Sequence, residues 1–465
     1  MDPHIFRAYD IRGDVRTQLT PEAVYAIGCA LGVSHFPPGS TLAIGHDART
    51  HSPLLAQKLM DGLRTQGINV VYLHSLTTPM FYFSLHRRKF DGGVMVTGSH
   101  NPRYDNGLKI CRATESFLRA DIEAIRAAIS LPLSHASVYG TFFQQQTTNA
   151  YVHSLKKHVP PPEKPFLRIV LDCGNGIAGC VAKRVIAEYA SEVIPLYCEP
   201  DGTFPNHHPD PSDPANLEDC RQTVLSHGAH LGIAFDGDGD RIGVIDTDGS
   251  VIPADQLCIL FAREILARRP GSRILADVKC SNVLFREIAQ CGGIPEMCRT
   301  GHALIKQRMR ETGAAMAGEM SGHFFFLDRW FGFDDALYAA LRLIEIVSDS
   351  ALHNGPSTVR GLLGNLPKTF TTPEIRIPCP DGVKFDVVRD VAGDFSKRYP
   401  TNELDGARID FPNGWALIRA SNTQPMLVMR VEADSSERLE NIRSELHESV
   451  QRHASKRGAS ILQIE

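Results

Sequence analysis

Three times in this chain an apolar run of strand length breaks into a short polar turn and then a segment of helical period. Thr41-Leu42-Ala43-Ile44-Gly45 runs into His46-Asp47-Ala48-Arg49, with a helix expected from Pro53. Arg168-Ile169-Val170-Leu171 runs into Asp172-Cys173-Gly174-Asn175-Gly176, and Arg273-Ile274-Leu275-Ala276 runs into Asp277-Val278-Lys279-Cys280-Ser281-Asn282. A spacing of about 100 to 130 residues implies related α/β units in series. Near-continuous apolar strands alternating with helices call for sheets covered on both faces. Beyond Asn365-Leu366-Pro367 the pattern changes. Short strands expected at 374–377, 408–411, 415–419 and 426–431 alternate with helical segments at 384–399 and 437–454. The expected fold is α/β: three tandem related α/β domains with mixed sheets covered by helices, plus a C-terminal α+β domain, around a central cleft. Turn signals at 144–148, Pro160-Pro161-Pro162, 247–250 and 365–367 divide the chain into 1–148, 149–250, 251–365 and 366–465.

Composition narrows the class. At 465 residues the chain has room for three or four domains. A net charge of −4 speaks against a broad nucleic-acid or anionic-membrane surface. No apolar run reaches the length of a membrane span, and Met1-Asp2-Pro3-His4-Ile5 does not open a signal peptide. Eleven cysteines without a Cys-x-x-Cys pair fit reduced thiols in a cytoplasm.

Asp236-Gly237-Asp238-Gly239-Asp240-Arg241 follows the apolar run Leu231–Phe235 and sets three carboxylates within five residues. Two like charges ~4 Å apart repel by about 4 kcal/mol at an effective dielectric near 20. Three converging at a strand end call for a cation, and carboxylate oxygens suit a hard ion such as Mg²⁺ with phosphate completing its shell. An EF-hand is excluded, because its sixth and twelfth positions would be Arg241 and Thr247. A solvated acidic turn is the bland alternative; the buried-strand run before it and Arg241 after it weigh against that.

Thr97-Gly98-Ser99-His100-Asn101-Pro102 follows a second apolar run, Gly93–Val96. Gly98 permits a tight turn that presents the Ser99 hydroxyl, with His100 beside it as an acid/base group. Position 101 is Asn, so this is not the Gly-x-Ser-x-Gly elbow of a hydrolase. A phosphorylated Ser99 would carry a charge of about −1.5 to −2 and three acceptor oxygens, the ligand the acidic loop lacks.

Taken together, these two motifs resemble the α-D-phosphohexomutases, and within them the bacterial phosphomannomutase/phosphoglucomutase branch. Gly318-Glu319-Met320-Ser321-Gly322-His323 is similar to that family's sugar-recognition loop. Arg419-Ala420-Ser421-Asn422-Thr423-Gln424-Pro425 is similar to its phosphate-binding loop, and Tyr9-Asp10-Ile11-Arg12-Gly13 adds a fifth match. The resemblance spans the whole chain. It implies reversible transfer of a phosphoryl group between O1 and O6 of a hexose, mannose and/or glucose, through phospho-Ser99 and a 1,6-bisphosphate. It implies Mg²⁺ on Ser99, Asp236, Asp238 and Asp240, and glucose or mannose 1,6-bisphosphate as activator and intermediate. Sugar phosphates are the expected partners, with no nucleic acid or membrane; a monomer is expected and a dimer left open.

Three aspartates, a phosphoserine and one divalent ion leave a charge of about −3 before any substrate arrives, so cations must surround them. The resemblance places Arg12, Lys109, Arg241 and Lys279 there, with His100, Lys109 and Arg12 assisting proton transfer. Tyr9, Arg241, Lys279, His302, Glu319, Met320, Ser321, Gly322 and His323 are implied for substrate. Arg419, Ala420, Ser421, Asn422 and Thr423 are implied for its non-transferring phosphate. The last domain, hinged near Leu366-Pro367, is the one expected to close. Arg103-Tyr104-Asp105-Asn106-Gly107-Leu108 departs from the family pattern in the order of Tyr and Asp and in Leu108 for the commoner Phe. Met320 favours mannose or glucose over a phosphoglucosamine mutase. A phosphoserine-type sugar phosphatase and a non-catalytic sensor are the competing readings.

Overall fold

The computed structural model describes residues 1–131, 136–421 and 425–459. Each repeat builds the same sheet. In the first, Asn69–Ser75, Thr41–His46 and Gly92–Val96 lie parallel in that order, followed by antiparallel Asp105–Arg112. In the second the order is Glu192–Leu196, Arg168–Asp172, Leu231–Phe235 and antiparallel Ile242–Asp246. In the third it is Ile294–Cys298, Arg273–Asp277, Met316–Gly318 and antiparallel Phe324–Phe326. The three apolar runs read from sequence are the equivalent first-entered strands, Thr41–His46, Arg168–Asp172 and Arg273–Asp277.

This topology positions the chemistry. Ser99, the acidic triplet and Glu319 each follow the third parallel strand, in the turn before its antiparallel neighbour. Equivalent turns of the three units therefore meet: Ser99 Oγ reaches Asp236, and the Ile242 amide reaches the Gly322 carbonyl. Local chemistry sets the flanking elements: Thr77 accepts the amide of Met80 at 3.2 Å and caps helix Thr78–Arg87, with Pro79 in its first turn. The first sheet gains an outer strand, Asp10–Asp14, antiparallel to Asp105–Arg112 with Asp10 opposite Lys109 and Arg12 opposite Gly107. That register brings Arg12 to the loop that carries Ser99, where it reaches Asn101.

The C-terminal unit is a wholly antiparallel sheet in the order Phe370–Thr371, Met426–Ala433, Gly414–Ala420, Ala407–Phe411 and Thr401–Asn402. Ile375–Pro378 also pairs with Met426–Ala433, and helices Asp381–Phe395 and Ser436–Lys456 pack against the sheet. Arg419 is the penultimate residue of strand Gly414–Ala420, which pairs antiparallel with the next strand in sequence, Met426–Ala433. Among the described residues no helix is long and apolar enough to cross a membrane.

Candidate functional site

Ser99 and the acidic loop, far apart in sequence, meet. Ser99 Oγ donates to Asp236 Oδ2 at 2.8 Å and lies 3.2 Å from His100 Nδ1. Such closeness needs a bare backbone: a Cβ on Gly237 would stand 2.5 Å from the Ser99 carbonyl oxygen. Asp236 Oδ1 accepts the amides of Gly239, Asp240 and Arg241 at 3.0, 3.0 and 3.1 Å, which curls the loop around its own first carboxylate. Asp238 Oδ2 accepts from Thr78 Oγ1 at 2.5 Å and Thr97 Oγ1 at 3.2 Å. Lys109 Nζ sits between Asp238 Oδ2 (2.8 Å) and Asp240 Oδ2 (2.5 Å).

The residues fit a hard cation. One oxygen from each of Asp236, Asp238 and Asp240 falls within 4.8 Å of the others, and all three side chains are buried. Asp238 Oδ1 and Asp240 Oδ1 are buried without a hydrogen-bond partner among the described residues. Burial, then Asp240 and Asp238, push the Asp236 carboxyl well above the ordinary range. Burial acts the same way on Asp238, yet Lys109 holds that carboxyl low. One ammonium, paired with two of three buried carboxylates, leaves the cluster short of positive charge, and an all-oxygen donor set suits Mg²⁺.

The other predicted cations gather on the same cleft. Arg12 is bidentate on Asp10 Oδ2 (Nε 3.0 Å, Nη2 2.7 Å) and reaches Asn101 Oδ1 at 3.3 Å. Burial alone would raise the Asp10 carboxyl; Arg12 and His302 hold it below the usual range instead. Arg241 Nε donates to His323 Nε2 at 2.8 Å, so the ring's proton is on Nδ1, facing Asp334 Oδ2 at 3.2 Å and Asp240 Oδ1 at 3.6 Å. Burial, then the guanidiniums of Arg241 and Arg12, push His100 well below the ordinary imidazole range. The Lys109 ammonium is held charged by Asp238 and Asp240 against its own burial.

On the far wall Glu319 Oε1 accepts the Gly301 amide at 2.5 Å, and Ser321 Oγ donates to Oε2 at 3.3 Å. Met320 N lies 3.4 Å from Asp277 Oδ1. Gly322, at φ +91°, accepts the Ile242 amide at 3.1 Å, stitching the sugar-type loop to the strand that leaves the acidic loop. Tyr9 stands edge-on to His302, their centroids 5.1 Å apart, and His302 Nε2 lies 3.4 Å from Asp10 Oδ1. Burial first, then Lys306, lower the His302 pKa. Lys279 Nζ lies between Asp277 (3.8 Å) and Glu374 (3.6 Å). Arg419 Nη2 pairs with Asp405 Oδ2 at 3.1 Å, while Arg419 Nε is buried without a hydrogen-bond partner among the described residues. Ala420 ends the strand and Ser421 follows it; Asn422 and Thr423 lie outside the described residues.

Several site-forming residues escaped the sequence reading. Asp10 orients Arg12, Thr78 and Thr97 hold Asp238, Asp334 faces His323, and Asp405 joins Arg419 to the Thr300 amide at 3.1 Å. Asp10 and Thr97 lay inside quoted motifs. The others carry no local signal, because their partners are distant in sequence.

Comparison with known proteins defines the class. All four domain models of the phosphoglucomutase/phosphomannomutase family match in order: α/β/α domain I over residues 3–131, domain II over 149–249, domain III over 253–368 and the C-terminal domain over 374–449. The chain belongs to this family, whose architecture is three α/β domains with mixed sheets and an antiparallel C-terminal domain. A phosphomannomutase/phosphoglucomutase of Pseudomonas aeruginosa is 44% identical over 95% of this chain and 94% of its own length. A phosphoglucomutase of Neisseria gonorrhoeae is 41% identical over 95% of both chains. The crystal structure of a phosphoglucomutase/phosphomannomutase family protein from Burkholderia thailandensis superposes with a TM-score of 0.90, at 36% identity over 99% of both chains.

Proposed function

We propose that this chain is a phosphohexomutase, an intramolecular phosphotransferase that interconverts the 1- and 6-phosphates of mannose and/or glucose through phospho-Ser99 and a hexose 1,6-bisphosphate. The observation that carries this reading is the 2.8 Å hydrogen bond from Ser99 Oγ to Asp236 Oδ2, which joins the nucleophile of one unit to the acidic loop of the next. A relative named phosphomannomutase/phosphoglucomutase and one named phosphoglucomutase, each matched over 94–95% of its own length, support it.

Asp236, Asp238, Asp240 and phospho-Ser99 would hold Mg²⁺, and the bound ion supplies charge withdrawal from the transferring group. The chain's own residues do the rest. Arg12 and Arg241 neutralise the phosphoryl oxygens from two sides. His100, kept neutral by burial and by those guanidiniums, can accept a proton at Nδ1 next to Ser99 Oγ. Lys109, charged between Asp238 and Asp240, balances charge there and can assist proton transfer as an acid. Glu319 and Ser321 present an acceptor and a hydroxyl to a pair of sugar hydroxyls, with Tyr9, His302, Met320, Gly322 and His323 around the ring. Arg419 with Lys279 and the 420–423 turn receives the distal phosphate. A ring bound between two anion sites can turn over and present either end to Ser99.

The division of labour follows: nucleophile in 1–148, metal in 149–250, sugar in 251–365, distal phosphate in 366–465. One chain supplies every loop, which favours a monomer. Eleven free cysteines favour the cytoplasm.

The test is an assay with mannose, glucose and glucosamine 1-phosphates, Mg²⁺ and a trace of glucose 1,6-bisphosphate. Isomer formation from mannose or glucose is expected; a preference for glucosamine would reassign the sugar, and release of inorganic phosphate alone would make the protein a phosphatase. Ser99→Ala should abolish turnover, by about 10⁴-fold or more, while sugar-phosphate binding persists. Full turnover in that variant refutes the nucleophile.

A further inference from the structure

We propose that Arg49 is the positioning residue of the nucleophile: it clamps the backbone of the Ser99 loop and holds the hydroxyl against the acidic loop. This rests on the phosphoserine mechanism above. In the sequence, His46-Asp47-Ala48-Arg49 reads only as a short polar turn after a strand. In the structure Arg49 is 1% exposed and its fork grips four carbonyl oxygens of the loop. Nη2 donates to Ser99 (2.8 Å) and Asn101 (2.6 Å), and Nη1 to Pro102 (2.7 Å) and Asp105 (3.0 Å).

Asp47 holds the other side of the same turn. Its Oδ2 accepts from Thr97 Oγ1 at 2.8 Å and the Gly98 amide at 3.0 Å, and lies 3.4 Å from Arg49 Nε. Its Oδ1 accepts from the Arg49 amide at 3.0 Å and from Ser52 Oγ. Between these two side chains the loop has no slack. A Cβ on Gly98 would stand 2.4 Å from Arg49 Nε, so residue 98 must be glycine for the guanidinium to lie flat against it.

The grip explains a strained nucleophile. Ser99 has φ +47°, a left-handed conformation that a residue with a Cβ adopts only when its surroundings impose it. Its carbonyl is caught between Arg49 Nη2 on one side and Gly237 of the acidic loop on the other. The next unit also leans on Arg49: a Cβ on Gly202 would stand 2.5 Å from Arg49 Cα, and the Phe204 ring lies 5.1 Å from its guanidinium. One side chain thus fixes the Ser99 backbone and the seam along which the two units meet. A lysine keeps the charge but cannot reproduce a planar fork on four acceptors.

The test uses the full chain. For Arg49→Lys, three quantities are measured: mutase kcat and KM with glucose 1-phosphate, calorimetric affinity for glucose 1-phosphate, and the rate of Ser99 phosphorylation by glucose 1,6-bisphosphate, read by intact mass. We expect kcat and the phosphorylation rate to fall together by about 10²-fold, with KM and affinity within about twofold. A merely structural role would lower the melting temperature and leave turnover per folded molecule unchanged, and that outcome overturns the proposal. Should Arg49→Lys fail to fold, Gly98→Ala, which pushes on the same guanidinium, must give the same split, and unchanged turnover there overturns it equally. Failure of the underlying mechanism shows in the wild-type protein, as no phosphate on Ser99 and no isomer.

Discussion

Around the candidate site, the side that holds Ser99 and the acidic loop shares one apolar core, while the side that holds Arg419 has its own. The shared core runs from Ala43 and Phe83 through Leu171 and Phe235 to Phe324 and Tyr338, across all three α/β units. The C-terminal core is separate, built on Ile409, Met429 and Ile442. Between them lies a small patch of Val278, Trp415 and Leu417, ringed by polar links. Arg408 donates to the Val278 and Cys280 carbonyls and to Asn282 Oδ1, Ser281 Oγ donates to Glu432 Oε1 at 2.9 Å, and Asp405 accepts the Thr300 amide. A continuous apolar interface resists sliding, whereas a small polar one can be exchanged for water at little net cost. On the proposed function, phosphoryl transfer falls on the fixed side and capture of the distal phosphate on the jointed one. Phosphoryl transfer demands that order, since a misplacement of about 1 Å costs about 10²-fold in rate, while a substrate that must turn over needs one wall that can yield.

Two substitutions would break this contrast if it is wrong. Asp238→Asn strips a carboxylate from the fixed side and leaves Lys109 with one partner. It should lower kcat by about 10³-fold with little change in KM, and abolish the rise in melting temperature that Mg²⁺ gives the wild type. Arg419→Ala acts on the jointed side, where a charged contact to phosphate is made in every bound state. It should raise KM about 10- to 100-fold and touch kcat far less. Steady-state kinetics on the two proteins decide the matter. Equal losses in kcat at unchanged KM would mean that both walls serve the same step.

The same contrast governs what the sequence disclosed. Strand runs such as Arg168–Leu171 and Leu231–Phe235 were legible because a strand buried on both faces must be apolar throughout. The acidic loop and the Ser99 turn were legible because their chemistry is compressed into adjacent residues. Arg49, Asp334 and Asp405 were not, since each works through partners that only the tertiary fold supplies: Arg49 reaches Asn101, Asp334 faces His323, and Asp405 meets Thr300. The edge strand Phe142–Gln144 was missed for the opposite reason. All three of its residues are exposed, so no burial pattern marks it.

The smallest effect probes how the fixed side is anchored. Asp335, fully buried, caps helix Ala336–Leu352 by accepting the Tyr338 amide at 2.9 Å. It also accepts from Tyr151 Oη at 2.9 Å and Trp330 Nε1 at 3.1 Å, and the helix it starts sends the Ala336 amide to the Gly239 carbonyl of the acidic loop. Burial pushes this carboxyl up to about 7, against those hydrogen bonds. An unfolded chain would titrate it near 4. The folded state therefore binds the extra proton between those values. Stability from this group is complete below pH ~4 and declines as pH rises through ~7, by up to about 4 kcal/mol. Asparagine keeps an acceptor for Tyr338 and Tyr151 and removes the charge, so Asp335→Asn should flatten the decline. Urea unfolding at pH 5 and pH 8 reads it, with Trp330 as the reporter in a Trp415→Phe background. The wild type should lose midpoint at pH 8 and the Asp335→Asn protein should hold it. Parallel losses in the two proteins would remove Asp335 from the anchoring of the acidic loop and leave the shared apolar core to hold the fixed side alone.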